Sequence, residues 1–385
     1  MRYILPDYEN CCVNVMSSIA KHFGLYNPHN TLSIVDKELQ KGYKNVVVLL
    51  LDGLGQNILM QETPNDCFLR KNFKQELSTV YPSSTVPATV SIKTGLTPFE
   101  HGWWGHFLFF KSLGQTINVY TNNDAFSRKK VPVEDVAHRV MPYTNILDEA
   151  VKANSDLRAY NLCPAEARDN FGVSQVTYND FDELCEYTKT LCSLDGKKFI
   201  YAYHNYPDDM MHKLGTHSYE TNKLLNDLNY QVEALCKSCP DTLFIITADH
   251  GQTELHESRD ITNYPDLVDT LLMMPSGCTR CANFFVKRGL EKTFEKLAKK
   301  YFGDKFEIFS RKEILKTRLL GFGEAHPELD NTLGDYLICA VSDCNITYST
   351  IYGLPRPQPF GIHGGLTFDE MRVPLIMYGD KTTNE

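Results

Sequence analysis

No stretch of this 385-residue chain stays apolar for long. The longest uninterrupted run, Val46 to Leu51, falls far below the roughly 20 residues that a membrane-spanning helix needs, so no span is expected. No secretory leader is expected either, because Pro6, Asp7 and Glu9 interrupt the N-terminus before an apolar segment can develop. Positive charge is also in short supply, with 39 Lys and Arg against 48 Asp and Glu and a formal net charge of −9. A field of that sign repels nucleic acid polymers and anionic lipid, which makes both poor partners. Internal repeats, low-complexity tracts and Gly/Ser linkers are lacking, and 42% hydrophobic content is that of an ordinary globular protein. These absences lead us to expect a cytoplasmic protein that binds no membrane and no nucleic acid polymer. No pattern in the chain bears on its oligomeric state.

Cysteine, by contrast, is plentiful at twelve residues. In a reducing compartment most of these would serve as small buried hydrophobes. Cys236-Lys-Ser-Cys239 and Cys278-Thr-Arg-Cys281 trace the outline CxxC…CxxC of a structural zinc site. Their separation of roughly 40 residues exceeds the usual spacing of about 15–20, which argues against zinc there.

Three segments read as fully buried strands because they are continuous and apolar: Val46–Leu51, Phe199–Tyr203 and Thr242–Thr247. Helical patterns lie between them, so the fold class is α/β, a mostly parallel sheet with helices on both faces. Ligands in such sheets collect at the carboxyl ends of the strands. The first strand runs into Asp52, the second into Asp208, Asp209 and His212, and the third into Asp249 and His250. An aspartate after a strand commonly caps the next helix, and a lone histidine is usually a satisfied polar residue. Capping alone does not explain histidine beside aspartate at more than one strand exit. Between 254 and 355 the pattern is less regular and more basic, and we read this stretch as a cap or insertion within one catalytic domain spanning residues 1–385.

The segment from Tyr81 to Gly95 opens with turn residues, continues as a short helix pattern and stops at glycine. Thr85 falls at or near its N-cap. A hydroxyl there is either a plain cap or a nucleophile beside a phosphate held by the helix N-terminus. Threonine needs a base or a metal to become nucleophilic at neutral pH. Asp208 and His212, four residues apart, share one helical face and converge on one ion, with Asp209 a less favoured alternative. Gly251 would let the chain turn so that Asp249 and His250 both point into one site. His363 lies among glycines in Gly361-Ile-His-Gly-Gly365. Asp52, Thr85, Asp208, His212, Asp249, His250 and His363 supply enough oxygen and nitrogen ligands for two divalent ions. Mixed His/Asp ligation suits Zn2+, with Mn2+ the next candidate.

The ordered motifs LLLDGLG, YPSSTVPATVSIKTGLTPFEHG, PDDMMHKLG, TADHGQ and GIHGG resemble the type I phosphodiesterase/nucleotide pyrophosphatase branch of the alkaline phosphatase superfamily. The resemblance spans roughly Val46 to Tyr378. It implies an alkaline-phosphatase-like three-layer sandwich and one ion held by Asp208, His212 and His363. A second ion would be held by Asp52, Asp249 and His250, with Thr85 beside it as the nucleophile that becomes covalently phosphorylated or nucleotidylated. The implied substrate is a small phosphorylated molecule such as a nucleotide, cleaved at a phosphodiester or pyrophosphate bond. One position departs from the pattern: where nucleotide pyrophosphatases carry an asparagine that holds a phosphoryl oxygen, this chain has His106, able to donate in its place. That substitution keeps open a phosphomonoesterase, a phosphonate hydrolase or a phosphomutase, and a non-catalytic metal-stabilised binding protein is the reading from another class. Trp103 and Trp104 would stack on a nucleobase or simply pack the cap. His101, His204, His217, His256 and His326 are expected to be structural.

Overall fold

The computed structural model describes residues 3–165, 173–348 and 358–381. Its centre is a seven-stranded sheet in the order Phe73–Ser78, Arg372–Asp380, Thr242–Thr247, Asn45–Leu51, Lys197–His204, Leu157–Pro164, Ser174–Tyr178. The three strands expected from the sequence are its adjacent middle members, and both neighbours of Asn45–Leu51 run parallel to it. Every residue of Asn45–Leu51 and of Thr242–Thr247 is buried, which is why their sequences are continuous rather than alternating. Only Arg372–Asp380 runs against its neighbours. Helices cover both faces, and the resulting three-layer architecture is the one expected.

A second seven-stranded sheet follows the order Phe306–Ser310, Tyr336–Ala340, Cys281–Phe284, Ser276–Cys278, Phe107–Phe110, Gln115–Asn118, Asn123–Asp124. All its pairings are antiparallel. Four of its strands lie in the 254–355 stretch read as a cap, of which 349–355 lie outside the described residues. The other three come from just after the helix Thr85–Thr94, a contribution the sequence pattern did not disclose. The junction is a single register pair, Gly277 opposite Phe107.

The four CxxC cysteines do not meet. Cys236 and Cys239 close the helix Tyr219–Ser238 within the core of the first sheet. Cys278 and Cys281 face each other across the hairpin of the second sheet. Among the described residues no metal-competent cluster contains a cysteine, and no helix is long and apolar enough to cross a membrane. Trp103 and Trp104 are both buried, their indole N–H groups donating to Met141 O at 2.7 Å and Thr332 Oγ1 at 3.0 Å. They are packing residues.

Candidate active site

Adjacent parallel strands lie about 4.8 Å apart, so the three carboxylates that follow the middle strands are delivered to one place. Two glycines make the approach close enough. Gly53 has φ +75°, and a Cβ there would sit 2.8 Å from Asp208 Cβ. Gly251 is required for a different reason from the sharp turn expected of it. Its φ is unremarkable, but a Cβ would run into the carbonyl oxygen of Asp369.

Two groups of side chains have ligand atoms mutually within 4.8 Å: Asp52, Asp249 and His250, and Asp208, His250 and His363. His250 Nε2 lies 3.4 Å from both Asp52 Oδ1 and Asp249 Oδ2. His363 Nε2 lies 3.8 Å from Asp208 Oδ1, and His212 Nε2 lies 3.3 Å from Asp208 Oδ2. His212 therefore joins through Asp208, while His250 stands between the two groups. The rings of His250 and His363 stack at 3.8 Å with 16° between their planes. Asp209 is turned away and pairs with Lys213 at 3.1 Å.

All three imidazoles are oriented in the same way. Nδ1 donates to a backbone carbonyl in each: His212 to Gly361 at 2.7 Å, His250 to Gly251 at 3.0 Å, His363 to Ser83 at 3.2 Å. A carbonyl can only accept, so the proton sits on Nδ1 and the Nε2 lone pair faces the centre. The carboxylates are steadied from outside as well. Tyr203 donates to Asp52 Oδ2 at 2.5 Å and Gln252 donates to Asp208 Oδ1 at 2.6 Å. Asp249 Oδ1 accepts from the backbone of Gly53 at 3.1 Å and of His250 at 3.0 Å. The inner oxygens Asp52 Oδ1 and Asp249 Oδ2 are buried without a hydrogen-bond partner. A buried carboxylate oxygen left this way is costly unless a cation meets it, so the donor set fits divalent metal ions.

The electrostatics agree. Burial, then the neighbouring Asp249 and Asp208, push the Asp52 carboxyl well above the usual carboxylate range. Burial and Asp208 also raise Asp249, against the pull of His250. Asp208 goes the other way: burial works to raise it, but His212, His363 and His250 together bring it down. Three carboxylates crowded into one site call for positive charge.

Thr85 is the first residue of the helix Thr85–Thr94, not its cap; that place belongs to Ser84, whose side chain makes no capping bond. The Thr85 hydroxyl is 3.2 Å from His250 Nε2. His106 is half-buried beside the same cluster, where desolvation holds its pKa down to about 4 against the attraction of Asp208. Its ring meets the edge of Tyr120 at 5.3 Å, and the Tyr120 hydroxyl lies 2.9 Å from Thr89 Oγ1, which donates to Thr85 O at 2.6 Å. Sequence reasoning passed over Tyr203, Tyr120 and Gln252. Only Gln252 had a signal, its place directly after the Asp249-His250-Gly251 triplet. His101, His204, His217 and His256 have their own partners in Ser91, Tyr178, Glu62 and Asp343, away from the cluster.

A mostly parallel three-layer α/β sandwich with Asp/His clusters at its strand exits accords with a hydrolase of phosphoric esters, the class to which comparison with known proteins assigns the chain. The sequence model described as type I phosphodiesterase / nucleotide pyrophosphatase matches residues 46–319, and the chain belongs to that family. No curated protein matches the chain. Among solved structures it is similar to murine ectonucleotide pyrophosphatase / phosphodiesterase 5, in a form inactivated by replacing a threonine with alanine and bound to AMP. That match has 17% identity and a TM-score of 0.64, with 87% of each chain covered. The human protein of the same name gives 15% identity, a TM-score of 0.65 and 87% of each chain. Phosphonoacetate hydrolase from Sinorhizobium meliloti 1021, in complex with phosphonoformate, gives 16% identity and a TM-score of 0.62. It covers 88% of this chain and 90% of that one.

Proposed function

We propose that this protein hydrolyses phosphodiester or nucleotide pyrophosphate bonds of small substrates through a covalent intermediate on Thr85, assisted by two divalent ions, Zn2+ or alternatively Mn2+. The observation that carries the reading is the Thr85 hydroxyl at a helix start, 3.2 Å from the imidazole shared by both ligand groups. Asp52, Asp249 and His250 would hold one ion, and Asp208, His212 and His363 the other. Bound there, the ions supply Lewis acidity, a lowered pKa for the attacking oxygen and charge neutralisation at the leaving group.

The chain itself does the rest. The N–H groups of Thr85 and Val86, in the first helical turn, have no acceptor within the helix and suit a non-bridging phosphoryl oxygen. Thr85 Oγ1 loses its proton to solvent and bonds to phosphorus as the ester oxygen departs. Water then attacks the phosphothreonine, and Thr85 regains its proton. His106, neutral above its depressed pKa of about 4, donates a hydrogen bond to the phosphoryl group. The loss of activity on removing a threonine in the murine relative supports this assignment.

A second reading, phosphonate hydrolysis, is favoured by His106 at the asparagine position and by the likeness to phosphonoacetate hydrolase. Turnover of bis(p-nitrophenyl) phosphate, p-nitrophenyl phosphate and phosphonoacetate by the wild-type protein separates the alternatives. We expect the diester to be the best substrate; a preference for either of the others overturns the diester reading. Thr85→Ala should retain its metal content and lose at least about 10³-fold in turnover, consistent with the loss of a nucleophile. Undiminished hydrolysis by that variant would remove Thr85 from the mechanism.

A further inference from the structure

The spacing of Cys278-Thr-Arg-Cys281 argues against zinc, yet one of the two residues between its cysteines is among the largest fully buried side chains of the described residues. Arg280 has no solvent exposure, and neither does Glu370. The guanidinium forks onto that carboxylate, Nε to Oε1 and Nη2 to Oε2, both at 2.6 Å. Two further donors go to Cys344 O at 2.8 Å and Ser342 O at 2.7 Å.

What Glu370 does with its other contacts gives the pair a consequence. Its Oε1 accepts from Gly365 N at 2.8 Å, two residues beyond His363, and its carbonyl accepts from Gly251 N at 2.8 Å, one residue beyond His250. On the far side, Ser83 Oγ donates to Gly365 O at 2.7 Å while Ser83 O receives His363 Nδ1 at 3.2 Å. One buried carboxylate residue is therefore bonded to both turns that carry the stacked imidazoles. The guanidinium that fixes it is anchored in the second sheet.

We infer that Arg280 is a positioning residue: through Glu370 it sets the placement of His363 relative to His250, and hence the spacing of the two ion sites. The inference rests on the metal-site reading above. Planarity is the reason for arginine here, since a lysine keeps the charge but cannot bond both carboxylate oxygens and two carbonyls in fixed directions. The side-chain contact to Gly365 makes the Asp208/His212/His363 site the one that depends on it.

The test is a titration of Co2+ into metal-free protein, followed by calorimetry and by the visible absorption of the bound ion. Wild-type protein should take up two equivalents. Arg280→Lys should bind one ion with unchanged affinity and the second about 10–100-fold more weakly, the cost typical of losing an outer support of a ligand, with an altered absorption band. Glu370→Gln, which keeps the side-chain volume, should show the same one-site loss and covers the case in which the lysine variant does not fold. Two ions bound at wild-type affinity with an unchanged band, alongside a lowered melting temperature, would make the clamp merely a scaffold and overturn the inference. No uptake by the wild-type protein, or uptake unchanged by Asp249→Asn and His363→Ala, would instead bring down the metal-site reading beneath it.

Discussion

His101 shows how differently an imidazole behaves when it is kept as packing. It lies against the helix Thr85–Thr94, where Nδ1 accepts from Trp103 N at 3.0 Å and Nε2 faces Ser91 Oγ at 3.0 Å. Burial, then His326, hold its pKa down to about 3. His204 is held to about 4, again by burial, against Asp180. Unfolded histidine titrates near 6.5. Below that value the unfolded chain takes up protons that these two folded sites refuse until pH 4 or 3, so stability falls as pH falls through 6.5. Each histidine contributes about 1.4 kcal/mol per pH unit in that window. In chelator, lowering the pH from 7 to 5 should cost the wild-type protein more of its urea midpoint than it costs His101→Gln; equal changes in both proteins would refute the assignment. The clustered Asp and His residues were legible because their types are unusual at strand exits. Tyr203, Tyr120 and Arg280 were not, since an ordinary tyrosine or arginine takes its meaning from a partner that sequence does not place beside it.

At the level of elements, buried parallel strands announce themselves as short apolar runs, and the three seen in the sequence are the three that position the site. The helix Thr85–Thr94 was equally visible from its flanking turn residues and from Gly95, which ends it at φ +68°. Strands of the second sheet are two to five residues long, too short for a period to register. The turn after Thr242–Thr247 is the most sharply constrained connection. Gly251 packs where any side chain would strike Asp369 O, with Gly55 Cα at 3.1 Å on the other side. Gly251→Ala should cost about 1–3 kcal/mol, the usual range for overpacking, and should reduce hydrolysis by displacing His250. Urea unfolding and turnover measured together check this, and a variant normal in both would show that the loop yields freely.

Across the whole molecule, the candidate ligands come from position 52 at one extreme to position 363 at the other, so no local segment contains a candidate site. Ions held by such a set bind the folded chain and have nothing comparable to bind in the unfolded one. Stability then grows with free ion as RT ln(1 + [L]/Kd), about 2.7 kcal/mol at a hundredfold excess over Kd. Chelator should lower the melting temperature and Zn2+ or Mn2+ should restore it in a concentration-dependent way. A melting temperature indifferent to both would mean that the clustered carboxylates are not relieved by metal.

The second sheet draws three strands from Phe107–Asp124 and four from Ser276–Ala340, joined where Gly277 meets Phe107. Recombination that carried only the later stretch into a related scaffold would leave Ser276–Cys278 as a raw edge, and raw edges invite aggregation. The second sheet is thus not a cassette. Its diversification has to proceed by single substitutions, or by exchanging two distant pieces of the gene together.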